Sequence, residues 1–426
     1  MSGYPRGATT DIKNRGIVFR CFAEDVLADA PLVVFSCAGT FFKVIECFRI
    51  LFIVIQVIKT HRIFVFFFCK IRFQRIQLKQ RIVQRTVKKA CKVKVLIVRQ
   101  DRIGDVTLTT AMPREIRRAF PDASVSVLVR SYTADIYRYN PHIDEVIVLQ
   151  EDESSASLGK RLRERHFDIS LMPLPDKRIT LALFAAGIPL RIGSGHKLYQ
   201  FLTNTKSSFR RKYDQLRSEA DYCLDQVRKL GVVPESDASE IFLSEDETGQ
   251  RKDIRETYLE QKRFLIGVHC TSGNSAPNVS PAEYGRFLSM LSNDPEISVM
   301  VTDHETPVEC RGIPRIHYPD FSHGLRQLII HIAAFDLLIS ASTGPMHLAG
   351  ALKVDTLSVF CPLPACHPTL WGPRGNTATF VMPEDEYCSR LCPGDPKLCN
   401  FSGTGGINAE KLYSAVKDWK ERKIHV

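Results

Sequence analysis

The chain reads as an α/β protein: two Rossmann-like halves, each with a doubly wound parallel sheet, facing each other across a cleft. Three observations predict this. β-rich or apolar runs at 93–98, 124–129, 145–149, 167–172 and 190–192 alternate with helical patterns at 106–120, 134–139 and 179–186. A second alternation places strands at 264–269, 297–302, 337–340 and 356–360, and helices at 281–291, 324–334 and 344–352. The length, 426 residues, suffices for two such domains and an extra segment. The expected divisions are an N-terminal extension at 1–91, a first domain at 92–234 and a second at 235–426. Helix 214–230 closes the first domain, and residues 235–262 read as a charged linker. Residues 194–213, irregular and basic, read as a mobile loop. A last helix, 408–422, is expected to pack back across the first domain. No fixed-period repeat is visible, which excludes a solenoid.

Each half contains one informative strand-to-helix junction. In the first, residues 93–98 run into Arg99-Gln100-Asp101-Arg102-Ile103-Gly104-Asp105 and then a helical pattern. Gly104 permits a tight turn, and Asp105 lands at the helix start. Asp105 is either a helix cap or a carboxylate held at the carboxyl edge of a first strand, where open α/β sheets place ligands. In the second, the apolar run 335–339 leads through Ser340-Ala341-Ser342-Thr343-Gly344-Pro345-Met346-His347 into an Ala-rich helix. Free backbone N–H groups and the positive end of the helix dipole converge there, which suits a phosphate or diphosphate; a plain N-cap is the other reading.

Together, Ile103-Gly104-Asp105-Val106 and the stretch from Ser342 to Ala349 resemble glycosyltransferase family 9, the ADP-heptose:lipopolysaccharide heptosyltransferases. Supporting pieces fall in the family's order: Phe120-Pro121-Asp122, Asn140-Pro141-His142-Ile143-Asp144, Gly324-Leu325-Arg326, and Trp371-Gly372-Pro373. The resemblance covers residues 92 to the C-terminus. It implies the GT-B architecture, with an acceptor-side first domain and a nucleotide-sugar-binding second domain. It also implies an inverting, metal-independent transfer of heptose from ADP-heptose to a lipopolysaccharide inner-core or other lipid-linked acceptor.

By that resemblance Asp105 is the base for the acceptor hydroxyl, and Arg102 and Gly104 lie on the acceptor side. The diphosphate is expected on the turn of Ser342, Thr343, Gly344, Pro345, Met346 and His347. Backbone N–H groups and the Thr343 hydroxyl would stabilise charge on the leaving phosphate. His269, Ser272, Gly273, Asn274 and Ser275 follow another strand end as weaker candidates, of which Ser272 and Gly273 are expected to contact the donor. Asp303 and Glu305 are candidates for ribose hydroxyls. Two features depart from the family. No Lys occurs in residues 275–281, a loss that Arg99, Arg102 or another base would have to offset, and Ser342 replaces the usual Asp. The departures leave open a reduced-activity or altered-specificity member, or a catalytically silent nucleotide-sugar-binding protein; the two-domain architecture itself also admits a nucleotide-sugar epimerase.

Charge is unevenly spread. The formal net charge is +11, yet residues 1–94 hold 18 Lys or Arg against 5 Asp or Glu, so the remainder is close to neutral. The basic balance is therefore no argument for nucleic-acid binding by the folded part. Apolar patches at 31–58 and 63–69, followed by polybasic sequence, are too interrupted for a spanning helix; they suggest a peripheral anchor on an anionic cytoplasmic leaflet. A poorly ordered extension is the other reading. The expectation is a monomer, cytoplasmic, peripheral on the inner face of the bacterial inner membrane, and without a cofactor. The thirteen Cys do not form a dense disulfide framework, and the spacing of Cys388, Cys392 and Cys399 lacks the paired short steps of a zinc site. They are expected as packed thiols, open to a labile disulfide.

Overall fold

Two six-stranded parallel sheets of the same strand order organise the computed structural model, which describes residues 92–209 and 216–424. The N-terminal extension expected at 1–91 lies outside the described residues. The first sheet uses β1 (Lys94–Val98), β2 (Ser124–Arg130), β3 (Glu145–Leu149), β4 (Ile169–Met172), β5 (Leu190–Ser194) and β6 (Lys206–Ser208), in the order β3-β2-β1-β4-β5-β6. Its helices are α1 (Ile103–Leu108), α2 (Ala111–Ala119), α3 (Ser155–Arg163), α4 (Lys177–Ala185), α5 (Leu198–Leu202) and α6 (Glu219–Arg228). Leu96, Val98, Leu128, Ile147, Leu158 and Ile179 form its core.

The second sheet comprises β7 (Phe264–His269), β8 (Ile297–Val301), β9 (Ile316–His317), β10 (Leu337–Ala341), β11 (Asp355–Val359) and β12 (Ala378–Val381), in the order β12-β11-β10-β7-β8-β9. With it go α7 (Glu245–Leu259), α8 (Pro281–Ser292), α9 (Leu325–Ala333), α10 (Gly344–Ala351) and α11 (Ala409–Ile424). Each sheet winds outward in both directions from one strand pair, β1/β4 in the first and β7/β10 in the second. The crevice at such a reversal is where open α/β sheets receive ligands.

Several elements differ from the sequence reading. The helix expected over 106–120 is two helices. Pro113 has no N–H to continue the ladder, Met112 N–H donates instead to the Thr109 carbonyl at 3.0 Å, and the Thr110 hydroxyl bonds back to Thr107. The expected linker 235–262 contains the 15-residue α7, opened by a capping box in which Ser244 and Glu247 satisfy each other's backbone N–H. The basic loop at 194–213 supplies α5 and the edge strand β6, while residues 210–215 lie outside the described set. The last helix packs on the second sheet, not across the first. Its stripe Leu412, Val416 and Trp419 joins the second core, and Trp419 Nε1 donates to Asp355 at 2.8 Å. Lys420 pairs with Asp294 and Glu296, anchoring the same face.

The lobes are held together by buried polar contacts. Arg326 on α9 makes a two-pronged pair with Glu247 of α7, at 2.8 and 2.6 Å. The same guanidinium reaches across to the Asp135 carbonyl of the first lobe at 2.8 Å and to Phe242 O at 2.6 Å. Arg326 therefore spends its fan of donors on fixing one lobe against the other.

Candidate active site

The two junctions meet. α1 and α10 pack against each other at their N-terminal ends, and glycines make this approach possible. A Cβ on Gly104 would stand 2.5 Å from the His347 ring, and one on Gly344 would stand 3.0 Å from Ile103. Arg102, Gly104 and Asp105 of the first lobe line a cavity of about 280 Å³ together with Ser342, Thr343, Gly344 and His347 of the second. Ser275 and Ala276, from the loop after β7, and Ala365, Cys366 and Trp371, from the short helical turns after β11, complete it.

Asp105 is not a helix cap. Arg102 holds the N-cap position of α1, and the Asp105 carboxylate instead accepts from Arg99 Nη2 at 2.7 Å. Arg99 is buried, and its other nitrogens reach Asp101 at 2.7 Å and Glu219 of α6 at 3.5 Å. Burial opposes the Arg99 charge, but Cys223, Asp101 and Asp105 around it outweigh that and raise its pKa. Asp101 titrates above the usual carboxylate range because burial, reinforced by Asp105, exceeds the pull of Arg99. Arg99 thus holds Asp105 in place; it is fully engaged and does not stand in for the missing Lys. Arg102, exposed at the rim, is the lone Lys or Arg among the described residues lining the cavity.

The opposite wall is neutral and unpaired. Thr343 is the N-cap residue of α10, yet its side chain makes no capping bond. Its buried hydroxyl has no partner, nor does Nδ1 of His347. Thr343 is 6 % exposed and His347 4 %. Burial pushes the His347 pKa down to about 4, so the imidazole is neutral at neutral pH. Pro345 contributes no N–H, as suits the first turn. Met346 is buried in the helix interior, away from the cavity lining. Two buried polar atoms without partners beside an uncapped helix start form a surface that suits an acceptor-rich ligand.

Other expected donor residues fall elsewhere. Ser272 and Gly273 do not line the cavity: the Ser272 carbonyl turns back to accept from Ser275, and Gly273 takes a left-handed φ of 53° in that turn. The turn advances Ser275 and Ala276 to the cavity in their place. Glu305 is exposed and outside the lining. Asp303 is buried, its carboxylate consumed by the backbone N–H groups of Cys270 and Thr271 at 2.7 and 2.9 Å and by the Thr271 hydroxyl at 2.6 Å. It staples the ends of β7 and β8 and lies buried outside the cavity lining. Ser275 is among the candidates at this strand end, whereas the sequence does not single out Ala276, Ala365 or Cys366 as wall residues, although all follow strand ends. Cys366 lines the cavity as a free thiol, and Cys361, Cys388, Cys392 and Cys399 are also free.

A two-lobed α/β architecture with a phosphate-suited turn facing a carboxylate defines the class: a GT-B glycosyltransferase. Solved structures share the fold. That of the glycosyl transferase family 9 protein from Veillonella parvula superposes with a TM-score of 0.64 at 20% identity, covering 76% of this chain and 96% of that one. The structure of E. coli ADP-heptose lps heptosyltransferase II gives 0.59 at 19%, covering 78% and 99%. In sequence, a Haemophilus influenzae protein provisionally named a glycosyltransferase is 27% identical over 305 residues, 68% of this chain and 88% of its own length. Lipopolysaccharide heptosyltransferase 2 of E. coli is 23% identical over 290 residues, 63% and 83% of the two chains. Residues 322–392, which contain the α9 and α10 motifs, match the family described as Glycosyltransferase family 9 (heptosyltransferase).

Proposed function

We propose that this glycosyltransferase moves heptose from ADP-heptose to a lipopolysaccharide inner-core acceptor, with inversion at the anomeric carbon. The acceptor hydroxyl oxygen attacks that carbon, the bond from carbon to the phosphate oxygen breaks, and ADP leaves with the electron pair. Asp105 takes the hydroxyl proton. Arg99 holds its carboxylate in one orientation, so the base is aligned before the acceptor arrives. The ADP diphosphate rests on the start of α10, where the Thr343 hydroxyl and the backbone N–H of Gly344 donate to it and Arg102 adds a positive charge. His347 supplies a neutral donor nitrogen. We take the reaction to be metal-independent, at the cytoplasmic face of the inner membrane, on a monomer.

The observation that carries this reading is that Asp105 and Thr343, 238 positions apart, line one cavity. The test is incubation with a panel of nucleotide sugars and truncated lipopolysaccharide acceptors, read by mass. A single-heptose increment from ADP-heptose alone supports the proposal. Conversion of the donor without acceptor identifies an epimerase, and calorimetric ADP binding with no product on any acceptor identifies a silent binding protein.

A further inference from the structure

One corner of the first lobe inverts the usual amphipathic rule. α5 buries its polar residue and exposes its apolar ones: Gln200 is 3 % exposed, whereas Leu198, Phe201 and Leu202 are 74, 58 and 70 % exposed. The inward face is pinned by polar bonds. Gln200 Oε1 accepts from the Lys197 N–H at 2.9 Å, and its Nε2 donates to the Ser194 carbonyl at 2.8 Å. The buried Arg191 guanidinium donates to the Thr203 carbonyl at 2.5 Å and to Ile188 O. The helix is thus held with Leu and Phe facing solvent. Phe209, just past the edge strand β6, and Leu181 and Phe184 on neighbouring α4 are also exposed. A patch gathered this way on adjoining elements marks a contact surface, unlike single scattered apolar residues.

The charge around the patch specifies the occupant. Residues 177–209 contain five Lys or Arg and not one Asp or Glu, with Arg191 buried and Asp176 just before them at the start of α4, although the lobes as a whole are close to neutral. Lys177 and Lys197 are exposed beside the apolar side chains. Exposed Leu and Phe alongside the exposed Lys177 and Lys197 fit a bilayer whose surface is anionic: the rings enter the acyl boundary and the ammonium groups meet the headgroups. An acidic protein would match the border but gain nothing from α5, and a second copy would bring like charge against like charge.

We infer that the α4–α5–β6 corner docks this protein on an anionic lipid bilayer. The assignment deepens the acceptor side of the reading above, because a lipid-linked acceptor lies in such a surface. Its test measures vesicle binding alone, so a chain that transfers no heptose can still pass it.

The full chain is mixed with phosphatidylglycerol/phosphatidylcholine vesicles or with phosphatidylcholine vesicles, and sedimented. Leu198→Ser/Phe201→Ser/Leu202→Ser is expected to lower partitioning onto the anionic vesicles at least tenfold, with an unchanged circular-dichroism spectrum and ADP affinity. Phe201→Trp reports locally: its emission, after subtraction of the wild-type signal, shifts to the blue on anionic vesicles and is quenched by brominated acyl chains. Undiminished binding of the triple variant, or no emission change while the protein sediments, would assign docking to another segment and overturn the inference. A concentration-dependent dimer abolished by the triple substitution, with no vesicle binding, would overturn it in favour of self-association.

Discussion

The two lobes repeat one strand order, yet their equivalent junctions are prepared in opposite ways. At the β1–α1 junction a buried guanidinium is surrounded by Asp101, Asp105 and Glu219, so that wall is charged and internally paired. At the β10–α10 junction the Thr343 hydroxyl and the His347 ring nitrogen have no partner. The difference teaches which wall awaits a ligand. A paired carboxylate already has its charge met, whereas unpaired buried polar atoms carry a desolvation cost that a ligand such as a phosphate would relieve.

The contrast is broken most directly at Asp105. Asp105→Asn keeps an oxygen for Arg99 but removes the proton acceptor, and a fall in kcat of about 10³-fold is expected. ADP affinity, measured by calorimetry, should stay within about threefold. Equal loss of turnover and ADP binding would mean that the charged wall also holds the donor, and the division of labour would fail.

His347 gives the next largest effect, on stability. Its pKa is about 4 in the folded chain and near the usual 6.5 when unfolded, so the unfolded state binds the extra proton between those values. Stability from the neutral ring is fully present above pH 6.5 and is lost as pH falls toward 4, in total about 3 kcal/mol. Denaturant titrations of wild type and His347→Gln between pH 7 and pH 4 should converge as pH falls, the variant lacking this slope. Saturating ADP should reduce the slope difference if the ring meets a phosphate.

Gly104→Ala inserts a methyl group against the His347 ring, 2.5 Å from its nearest carbon. A stability loss of about 1–3 kcal/mol is expected from the forced displacement, together with a lower kcat because both walls shift. Unchanged melting and turnover would show that the ring swings aside freely. The finest discriminator is Thr343→Val. It removes a buried hydroxyl without a partner, so the free protein should be equally stable or more stable by up to about 1 kcal/mol, while ADP binds about tenfold more weakly. A variant that both melts earlier and binds ADP normally would show the hydroxyl to be structural.

Much of this arrangement is legible in the sequence because its signals are local. The runs at 93–98 and 335–339 form buried strands, and the small residues after them mark where each helix starts. What escaped has physical reasons. α7 buries only Glu247 of its fifteen residues, so it offers no apolar stripe by which a helix is recognised. The break after Leu108 depends on one missing N–H at Pro113, and β6, β9 and β12 are short edge strands. Side-chain partners were the least readable. Arg99 lies 120 positions from Glu219, and the fate of Asp303 is decided by two N–H groups 32 and 33 positions away. The turn at Gly273 likewise substitutes Ser275 for Ser272 at the cavity, a shift that residue type alone does not encode.

The close approach of Gly104 to the His347 ring and of Gly344 to Ile103 sets the gap between the two cavity walls by hard contact, not by charge. Steric spacers ignore ionic strength, so added salt should weaken the exposed Arg102 contribution and loosen lipid docking while leaving that gap unchanged. The catalytic ruler and the electrostatic grip are therefore separable in one titration with sodium chloride.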